Sequence, residues 1–297
     1  MAAPETSIAL ARPEVVSGRF EPSMDEEEYH AHPALSASGM KVLLRSPKHF
    51  RLARTENRAP KKEFDVGHAA HKLILGVGMP IVEIPAGLLS GANAAVQSAK
   101  AKAWVEEART EGKVPLKPKD FQAVRRMADA VLTNVKARRV LEAAPWREVS
   151  LFGEDEATGV QVRSRLDALG EGVLGDVKTT PDVSPRKITN AVVDLGYDLS
   201  AEMYRQMVIR VLGYDPGPMN LIFVEKELPH EVRVVRLADP AWRVGGETKI
   251  RAALDVFAWC SEQGVWPGDD EDGGEIRDLP VPAWYERQMN ALEEDVL

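Results

Sequence analysis

The chain has a single cysteine, Cys260, among its 297 residues. One thiol excludes an internal disulfide, an iron–sulfur cluster held by the chain's own cysteines, and a zinc site built from four cysteines. Any metal ion in this protein must therefore be held by oxygen and imidazole ligands.

Long apolar runs and targeting signals are also missing. No stretch approaches the roughly 20 apolar residues that a membrane span needs, and the N-terminal MAAPETSIALARPE lacks the basic and apolar regions of a signal peptide. We therefore expect a cytoplasmic protein without a membrane partner. Its 44% hydrophobic content is enough to bury a substantial core.

The charge is negative overall but unevenly distributed. A formal net charge of -8 at pH 7 argues against a protein that coats nucleic acid indiscriminately. The segment from Lys41 to Lys62 is nevertheless strongly basic, with Glu56 as its only acidic residue. Acidic residues concentrate in residues 24–28 and 269–275, which we expect to be loops or tails.

The sequence predicts one large domain with a helical insertion. Residues 1–28 lack periodicity and are predicted to be a flexible lead-in to a single domain over residues 29–290. FDVGHAAHKLILG, from Phe64 to Gly76, has the pattern of a helix that ends at a glycine. Two longer helical patterns, residues 92–110 and 118–144, predict the insertion at about residues 90–145.

The periodicity changes after this insertion. Five segments have strand-like patterns, namely WREVSLFG, QVRSRLDAL, VLGDVKTT, NLIFVEKE and EVRVVRL. A helix, AEMYRQMVIRVLG, lies between the third and the fourth segment, and another runs from Pro240 to Glu262. This order predicts an α/β fold in which a sheet is flanked by helices.

The stretch RSRLDALGEGVLGDVKTT predicts a hairpin that brings two carboxylates together. If Glu171 and Gly172 form a two-residue turn, Asp167 lies directly opposite Asp176, with Cβ atoms roughly 5 Å apart. Lys178 then projects from the same face, and Val177 points to the opposite one, where it can pack into a core. A three-residue loop would shift the register by one and separate these side chains.

Two interpretations of this hairpin remain open on its own sequence. Carboxylates that face each other need a neutralising cation, and Mg²⁺ or Mn²⁺ takes oxygen ligands at roughly 2.0 to 2.2 Å. The alternative is a solvated hairpin whose acids only maintain solubility. An Asp-x-Lys triplet is common by chance, so other parts of the chain must decide.

The wider order of residues resembles a known family. Gly67-x-x-x-His71, Glu148, Asp167, Asp176-Val177-Lys178 and a tyrosine-bearing helix follow each other as in the PD-(D/E)XK nucleases of the RecB-like branch. The chain is most similar to the RecE-type, or exodeoxyribonuclease VIII-like, exonucleases over about Tyr29 to Gln288. The resemblance implies a restriction-endonuclease-like core with a central mixed sheet, flanking helices and a helical insertion.

The same resemblance assigns roles to individual residues. His71, Asp167, Asp176 and the Val177 carbonyl match metal-ligand positions, and Lys178 matches the catalytic lysine. Glu148 matches an acidic position that holds a metal-bound water. The alternatives are a hydrogen-bonded core histidine at His71, with His68 as its rival, and an ordinary surface glutamate at Glu148.

One departure from the family pattern concerns the helix after the hairpin. Relatives carry Gln-x-x-x-Tyr there, whereas this chain has Ser200 and Tyr204 at that spacing. Gln206 lies about 240° around the helix from Ser200, so it cannot replace the missing amide. The shorter serine implies a weaker or water-mediated contact to DNA, or a cap for the helix. Tyr204 either contacts the substrate or lies in the interior of the protein.

Basic residues complete the implied DNA surface. Lys41, Arg45 and Lys48 in the basic segment would bind phosphates without regard to sequence, and Arg163 and Arg165 flank the predicted site. For any one of these residues, the alternative is an ordinary solvated side chain.

The function implied by the resemblance is a Mg²⁺-dependent DNA exonuclease, with Mn²⁺ as an alternative ion. Such enzymes degrade one strand from duplex ends, 5′ to 3′, to prepare single strands for recombination. The family also implies a ring-shaped homo-oligomer, a single-strand annealing protein as partner and a phage or prophage origin. Three alternatives stay open: a structure-specific endonuclease, a helicase-associated nuclease, and a DNA-end-binding protein weakened by Ser200.

Overall fold

A seven-stranded mixed sheet forms the centre of the computed structural model, which describes residues 12–55, 66–78, 80–91, 93–268, 271, 276 and 278–294. Its strands are β1 (Arg19–Glu21), β2 (Leu35–Ser36), β5 (Trp146–Glu154), β6 (Gln161–Gly170), β7 (Val173–Thr180), β8 (Met219–Glu225) and β9 (Val232–Arg236). They lie in the order β1-β5-β6-β7-β8-β9, with β2 beside β6. The β7–β8 and β2–β6 pairs are parallel and the others antiparallel. Strands β3 (Ile81–Glu83) and β4 (Val114–Leu116) form a separate parallel pair.

Helices cover both faces of this sheet. The helices of the described residues are α1 (Glu26–Ala31), α2 (Ala37–Arg45), α3 (Pro47–Thr55), α4 (Val66–Leu75), α5 (Ala99–Thr110), α6 (Pro118–Thr133), α7 (Val135–Ala143), α8 (Pro185–Asp194), α9 (Tyr197–Leu212), α10 (Pro240–Gln263) and α11 (Ala283–Glu294). In the described ranges, none of them combines the length and apolar character that a bilayer crossing requires.

The alternation of β8 shows how the two faces are buried. Leu221 and Phe223 join a core formed with α2, α9 and α10, whereas Ile222 and Val224 join a second core formed with α4, α6 and α7. A strand buried on both faces has a continuous apolar sequence, as LIFV does here. The arrangement confirms the predicted α/β class with a mixed sheet between helical layers.

The ordered fold begins earlier than the sequence predicts. Residues 19–28, assigned to a flexible lead-in, form β1 and the start of α1. Phe20 pairs with Leu151 and is fully buried, and the Asp25 carboxylate caps α1 by accepting the Glu27 N–H at 2.8 Å. A three-residue strand is too short to produce a recognisable period, so its order comes from the burial of one aromatic ring.

The predicted helical insertion contributes to the second core of the domain. The helical pattern of residues 118–144 is divided at Asn134, whose side chain accepts the Lys136 and Ala137 N–H groups and begins α7. Met127 of α6 and Leu141 of α7 are buried in the second core, against the sheet. This segment therefore supplies one of the two helical layers instead of standing apart from the domain.

The hairpin between β6 and β7 has the predicted register. Ala168 pairs with Gly175, and Gly170 pairs with Val173 across a two-residue turn at Glu171 and Gly172. Gly172 has a φ of 72°, which a glycine adopts without steric cost. Counted from the turn, the Ala168–Gly175 pair is the last one between β6 and β7. Beyond it, β6 pairs with β2, and β7 continues along β8. The two strands diverge at Asp167 and Asp176.

Candidate active site

Three carboxylates lie side by side on adjacent strands at this divergence. The pairs Arg147–Ala168 and Val149–Leu166 bracket Glu148 and Asp167, so these two residues face each other across β5 and β6. Asp176 follows Gly175 in the hairpin register and lies next to Asp167 on the other side. The side chains of Glu148, Asp167 and Asp176 are 11%, 12% and 6% exposed. Burying like charges next to each other costs free energy, so these carboxylates need positively charged groups beside them.

His71 reaches this cluster from α4. Its Nε2 lies 2.6 Å from Asp167 Oδ2, and its Nδ1 lies 3.4 Å from Glu148 Oε1. Ala69 and Ala70 anchor the helix in the second core, which directs the next residue toward the sheet. Burial disfavours a charged imidazole, but the Asp167 charge and hydrogen bonds to Asp167 and Glu148 outweigh it and raise the pKa of His71 to about 10.

Asp167 is the most strongly stabilised anion of the cluster. Burial would raise its pKa, but the charge and hydrogen bond of His71, the Lys178 charge and the Val177 N–H hold the pKa of Asp167 well below its usual range. The Val177 N–H donates to Asp167 Oδ2 at 2.8 Å. The Val177 side chain is buried in the second core, as predicted. Asp167 thus ties β6 to β7 where their ladder has ended.

Lys178 pairs with the third carboxylate. Its Nζ lies 2.5 Å from Asp176 Oδ2. Burial opposes the ammonium form, but Asp176 and Asp167 outweigh it and raise the pKa of Lys178. For Asp176, burial and the Asp167 charge outweigh Lys178 and raise the pKa of the carboxyl to about 6. The predicted placement of Lys178 on the face of both aspartates is confirmed.

Glu148 has an unusual backbone as well as a buried side chain. Its φ of 45° lies in the left-handed region, which costs a non-glycine residue about 1–3 kcal/mol and is found chiefly at functional sites. Its Oε2 lies 2.7 Å from Lys72 Nζ and 3.6 Å from Arg165 Nη2. Burial would raise the pKa of Glu148, but hydrogen bonds from His71 and Lys72 outweigh it and lower that pKa.

The donor types of this cluster fit a hard divalent cation. Carboxylates, an imidazole and the neighbouring Val177 carbonyl are ligands that Mg²⁺ and Mn²⁺ accept. Among the described residues, however, no group of three or more His, Cys, Asp and Glu side chains is arranged to hold a metal ion as the side chains stand. In the described geometry, the His71 imidazole and the Lys178 ammonium pair with carboxylate oxygens of Asp167 and Asp176.

A cleft of about 490 Å³ opens onto the cluster and contains most of the predicted site. Its lining includes the predicted residues Lys41, His71, Glu148, Arg165, Asp167, Val177, Lys178, Ser200 and Tyr204. It also includes Glu26, Tyr29, Lys72 and Tyr197, which the sequence did not single out. His68 belongs to α4, but its side chain is outside the described part of the chain.

The sequence of residues 36–277 matches a family described as a PDDEXK-like domain of unknown function (DUF3799). This match spans most of the chain. The chain belongs to this PDDEXK-like family. The PD-(D/E)XK assignment is therefore confirmed, and with it the restriction-endonuclease-like fold.

A solved structure is also similar to this PDDEXK-like protein. It is that of a "putative exonuclease" from Eubacterium rectale, with a TM-score of 0.55 and 13% sequence identity, covering 89% of this chain and 98% of that one. At this identity the likeness shows the fold alone. No curated protein matches the sequence. Together, the family and the fold support a hydrolytic nuclease.

Tyr197 organises two lysines of the PDDEXK-like cleft. The Nζ atoms of Lys41 and Lys178 each lie 5.4 Å from the centroid of its ring. Gly196 precedes it with a φ of 59°, and a Cβ there would approach Lys41 Cε to 3.3 Å. Burial and the Lys178 charge lower the pKa of Lys41 to about 8, although Asp176 raises it. No sequence pattern marks Tyr197, because its role depends on α2 and β7 meeting α9.

The residues of α9 at the Gln-x-x-x-Tyr positions, Ser200 and Tyr204, face the cleft. Burial, with the charge of Asp176 next in size, raises the pKa of Tyr204 well above its usual value, so the phenol remains protonated. Gln206 instead donates its amide to Glu202 Oε1 at 3.0 Å and is not among the cleft residues, as its position around the helix predicts.

The cleft excludes three predicted DNA-binding residues. Arg163 is buried, with its guanidinium donating to the carbonyls of His32 and His30 and stacking 4.7 Å from the Tyr29 ring centroid. Its contacts are those of a residue that holds α1 to the sheet.

The other two excluded residues lie on helix surfaces. Arg45 is exposed in the last turn of α2, and exposed Lys48 in α3 forms an ion pair with Glu271. The last part of the basic segment, residues 56–62, and most of the acidic stretch 269–275 lie outside the described residues.

Proposed function

We propose that this protein is a Mg²⁺-dependent DNA exonuclease of RecE type that hydrolyses one strand from duplex ends. The observation that carries the proposal is the convergence of Glu148, Asp167, His71 and Lys178 in one cleft of a PDDEXK-like fold, with buried Asp176 paired to Lys178 behind the cleft lining. Mutual burial of three acids, an imidazole and a lysine has a stability cost that a solubilising hairpin would not incur. The solvated-hairpin interpretation does not account for it.

The cation in this proposal would be held by His71, Asp167, Asp176 and the Val177 carbonyl. A bound Mg²⁺ or Mn²⁺ ion polarises a phosphoryl oxygen and favours attack by water. Asp167 is already ionised and is directed toward His71 and Val177 by short hydrogen bonds. Glu148, buried next to His71, would hold an attacking water by hydrogen bonding.

Lys178 acts as a cation in this reaction. Its neighbours Asp176 and Asp167 keep it protonated at neutral pH. An ammonium can orient water and stabilise the negative charge that develops on the phosphate, but it cannot accept a proton. In this proposal Lys178 therefore orients the attacking water and offsets negative charge in the transition state.

The DNA in this proposal enters along the residues that share the cleft with the carboxylates. Lys41 and Arg165 supply positive charge for phosphates, and Ser200 and Tyr204 supply hydroxyl groups in the same cleft. From the resemblance to RecE-type exonucleases, we further propose cytoplasmic action, 5′ to 3′ polarity, a ring-shaped homo-oligomer, an annealing-protein partner and a role in recombination. A phage or prophage origin belongs to the same proposal.

The test is cleavage of end-labelled linear duplex and closed circular duplex with Mg²⁺. The natural chain should release mononucleotides from linear DNA and leave circles intact. Lys178→Ala should lower the rate about 100- to 10,000-fold, and Asp176→Ala should abolish cleavage. Linear substrates with a phosphorothioate block at one end report the polarity.

Lys113→Ala is the matched control, because Lys113 is ion-paired with Glu111 and does not line the cleft. It should cleave like the natural chain. Cutting of circles would assign an endonuclease instead, and end binding without cleavage would assign a DNA-end-binding protein. Full activity of Asp176→Ala would refute the proposed site.

A further inference from the structure

Lys72 is a buried lysine directly beside the carboxylate cluster. Its side chain is 10% exposed, and its Nζ lies 2.7 Å from Glu148 Oε2 and 2.9 Å from Glu26 Oε2. An amine held between two carboxylates at these distances forms charge-assisted hydrogen bonds with both. No sequence pattern marks this residue, and it has no role in the proposed hydrolysis described above.

The local backbone is built to admit this side chain. Lys72 follows His71 in α4, so a single turn of helix supplies a partner to Asp167 and a partner to Glu148. After the helix, the chain turns at Gly78, where φ is 92°. A Cβ at Gly78 would come within 2.8 Å of Lys72 Cδ, so the absence of a side chain there leaves room for the lysine stem.

Glu148 needs such a partner because the sheet does not fix it. The β5–β6 ladder pairs Arg147 and Val149 but omits Glu148, whose φ is 45°. The direction of its carboxylate is therefore set by side-chain contacts. Lys72 makes the shortest of those described; His71 Nδ1 lies 3.4 Å away, and Arg165, at 3.6 Å, also donates to the Met24 carbonyl at 2.8 Å.

We propose that Lys72 is a positioning residue that holds the Glu148 carboxylate in the cleft, beside His71. Its ammonium orients Glu148 and compensates its charge, while the Glu148 carboxylate itself faces the reacting groups. This inference rests on the proposed nuclease function, in which Glu148 holds water near the cation. Outer partners that orient groups at metal sites contribute about 10- to 100-fold to metal affinity or activity.

The test is a double-mutant cycle with Lys72→Met, Glu148→Gln and the combined variant. Two readouts are measured: Mn²⁺ affinity by calorimetry without DNA, and kcat and KM for linear duplex. Lys72→Met should weaken Mn²⁺ binding and lower kcat by about 10- to 100-fold with KM unchanged. In the Glu148→Gln background it should add no further loss, because Lys72 acts through Glu148.

Lys72→Arg supplies the conservative rescue. A guanidinium retains the positive charge and should recover most of the Mn²⁺ affinity that Lys72→Met loses. If Lys72→Met alone does not fold, the combined variant removes both charges and is compared with Glu148→Gln. A lower Mn²⁺ affinity in the combined variant would overturn the proposal, as would equal losses in Lys72→Arg and Lys72→Met.

Arg251→Met is the matched control for simple destabilisation. Arg251 donates to the buried carboxylate of Asp155, which follows the far end of the strand that carries Glu148. This variant should lose stability but keep its Mn²⁺ affinity and kcat. If Lys72→Met behaves in the same way, Lys72 is structural. Retention of Mn²⁺ binding and cleavage by Asp176→Asn would instead refute the proposed metal site, and absence of DNA cleavage by the natural chain would refute the proposed function itself.

Discussion

The Nε2 atom of His71 lies 2.6 Å from Asp167 Oδ2, and the same oxygen accepts the backbone N–H of Val177 at 2.8 Å. One carboxylate oxygen therefore connects α4, β6 and β7 at the point where the hairpin ladder ends. Burial disfavours the charged imidazole at this contact, but the Asp167 carboxylate outweighs burial and raises the pKa of His71 to about 10.

The first prediction concerns this proton. A metal-ligating histidine must be neutral, so His71 must lose its proton when a cation binds. Below a pKa of about 10, Mn²⁺ binding should release about one proton from His71, and affinity should rise with pH. Below the Asp176 pKa of about 6, protonation of that carboxyl should weaken binding further. Calorimetry in buffers of different ionisation enthalpy measures the released protons.

His71→Asn provides the control for this measurement, because an amide has no titratable proton. It should release about one proton fewer than the natural chain. Equal proton release by both proteins would show that His71 is not a ligand.

The second prediction concerns Tyr197, whose ring lies 5.4 Å from both Lys41 Nζ and Lys178 Nζ. Cation–π attraction of about 0.5–2 kcal/mol corresponds to a factor of about 2 to 30. Tyr197→Leu should lower the cleavage rate by such a factor, since both amines lose the ring that places them. Tyr197→Phe should retain the natural rate. Equal rates for the two variants would show that the ring has no such role.

The hairpin could be predicted from the sequence because its causes are local. The alternation of residues 163–169 and a two-residue turn with glycine at 172 fix which side chains share a face. The carboxylate pair and Lys178 follow directly from that register. The resemblance then supplied His71 and Glu148, which lie far away in the sequence.

The remaining parts of the site depend on contacts between distant elements. Lys72 and Tyr197 have no pattern of their own and acquire their roles when α4 meets β5 and when α9 meets α2. The same cause explains why β1 was assigned to a lead-in, since its order comes from the burial of Phe20. Arg163 shows the opposite case, in which a plausible DNA contact is buried by a neighbouring helix.

The third prediction separates the two arginines of β6. Arg163 donates to backbone carbonyls and lies outside the cleft, so Arg163→Gln should lower stability by about 1–3 kcal/mol and leave DNA affinity nearly unchanged. Arg165 lines the cleft, so Arg165→Gln should weaken DNA binding. It should also reduce the slope of log affinity against log salt concentration by about one. Denaturant melts and binding titrations at several salt concentrations measure both; the reverse pattern would contradict these assignments.

The fourth prediction restores the amide that this chain lacks on α9. Ser200 lines the cleft, and a glutamine there would extend two N–H donors toward the substrate. Ser200→Gln should tighten DNA binding and raise the cleavage rate by several-fold, about what one hydrogen bond of 0.5–1.5 kcal/mol provides. Gln206→Ala is the control, because Gln206 is bonded to Glu202 outside the cleft, and it should leave cleavage unchanged. A slower Ser200→Gln enzyme would indicate that the serine is needed for close approach.

The last prediction concerns stability away from the cleft. Asp155 is buried and accepts two hydrogen bonds from Arg251, at 3.2 and 2.7 Å. Burial would raise its pKa, but the hydrogen bond from Arg251, followed by that from Thr158, outweighs burial and lowers the pKa of Asp155. A depressed pKa stabilises the fold above the unfolded value of about 3.9, and this contribution is lost as pH falls toward the folded value.

Asp155→Asn should therefore lower the free energy of unfolding by about 1–3 kcal/mol at neutral pH, and the difference from the natural chain should shrink as the pH falls below about 4. Glu142→Gln is the control, because that exposed carboxylate lies 3.6 Å from Arg138 on a helix surface, and its effect should stay within about 0.5 kcal/mol. Denaturant titrations at a series of pH values make the comparison. A difference that stays constant down to low pH would mean that the charge of Asp155 contributes nothing and that only its shape matters.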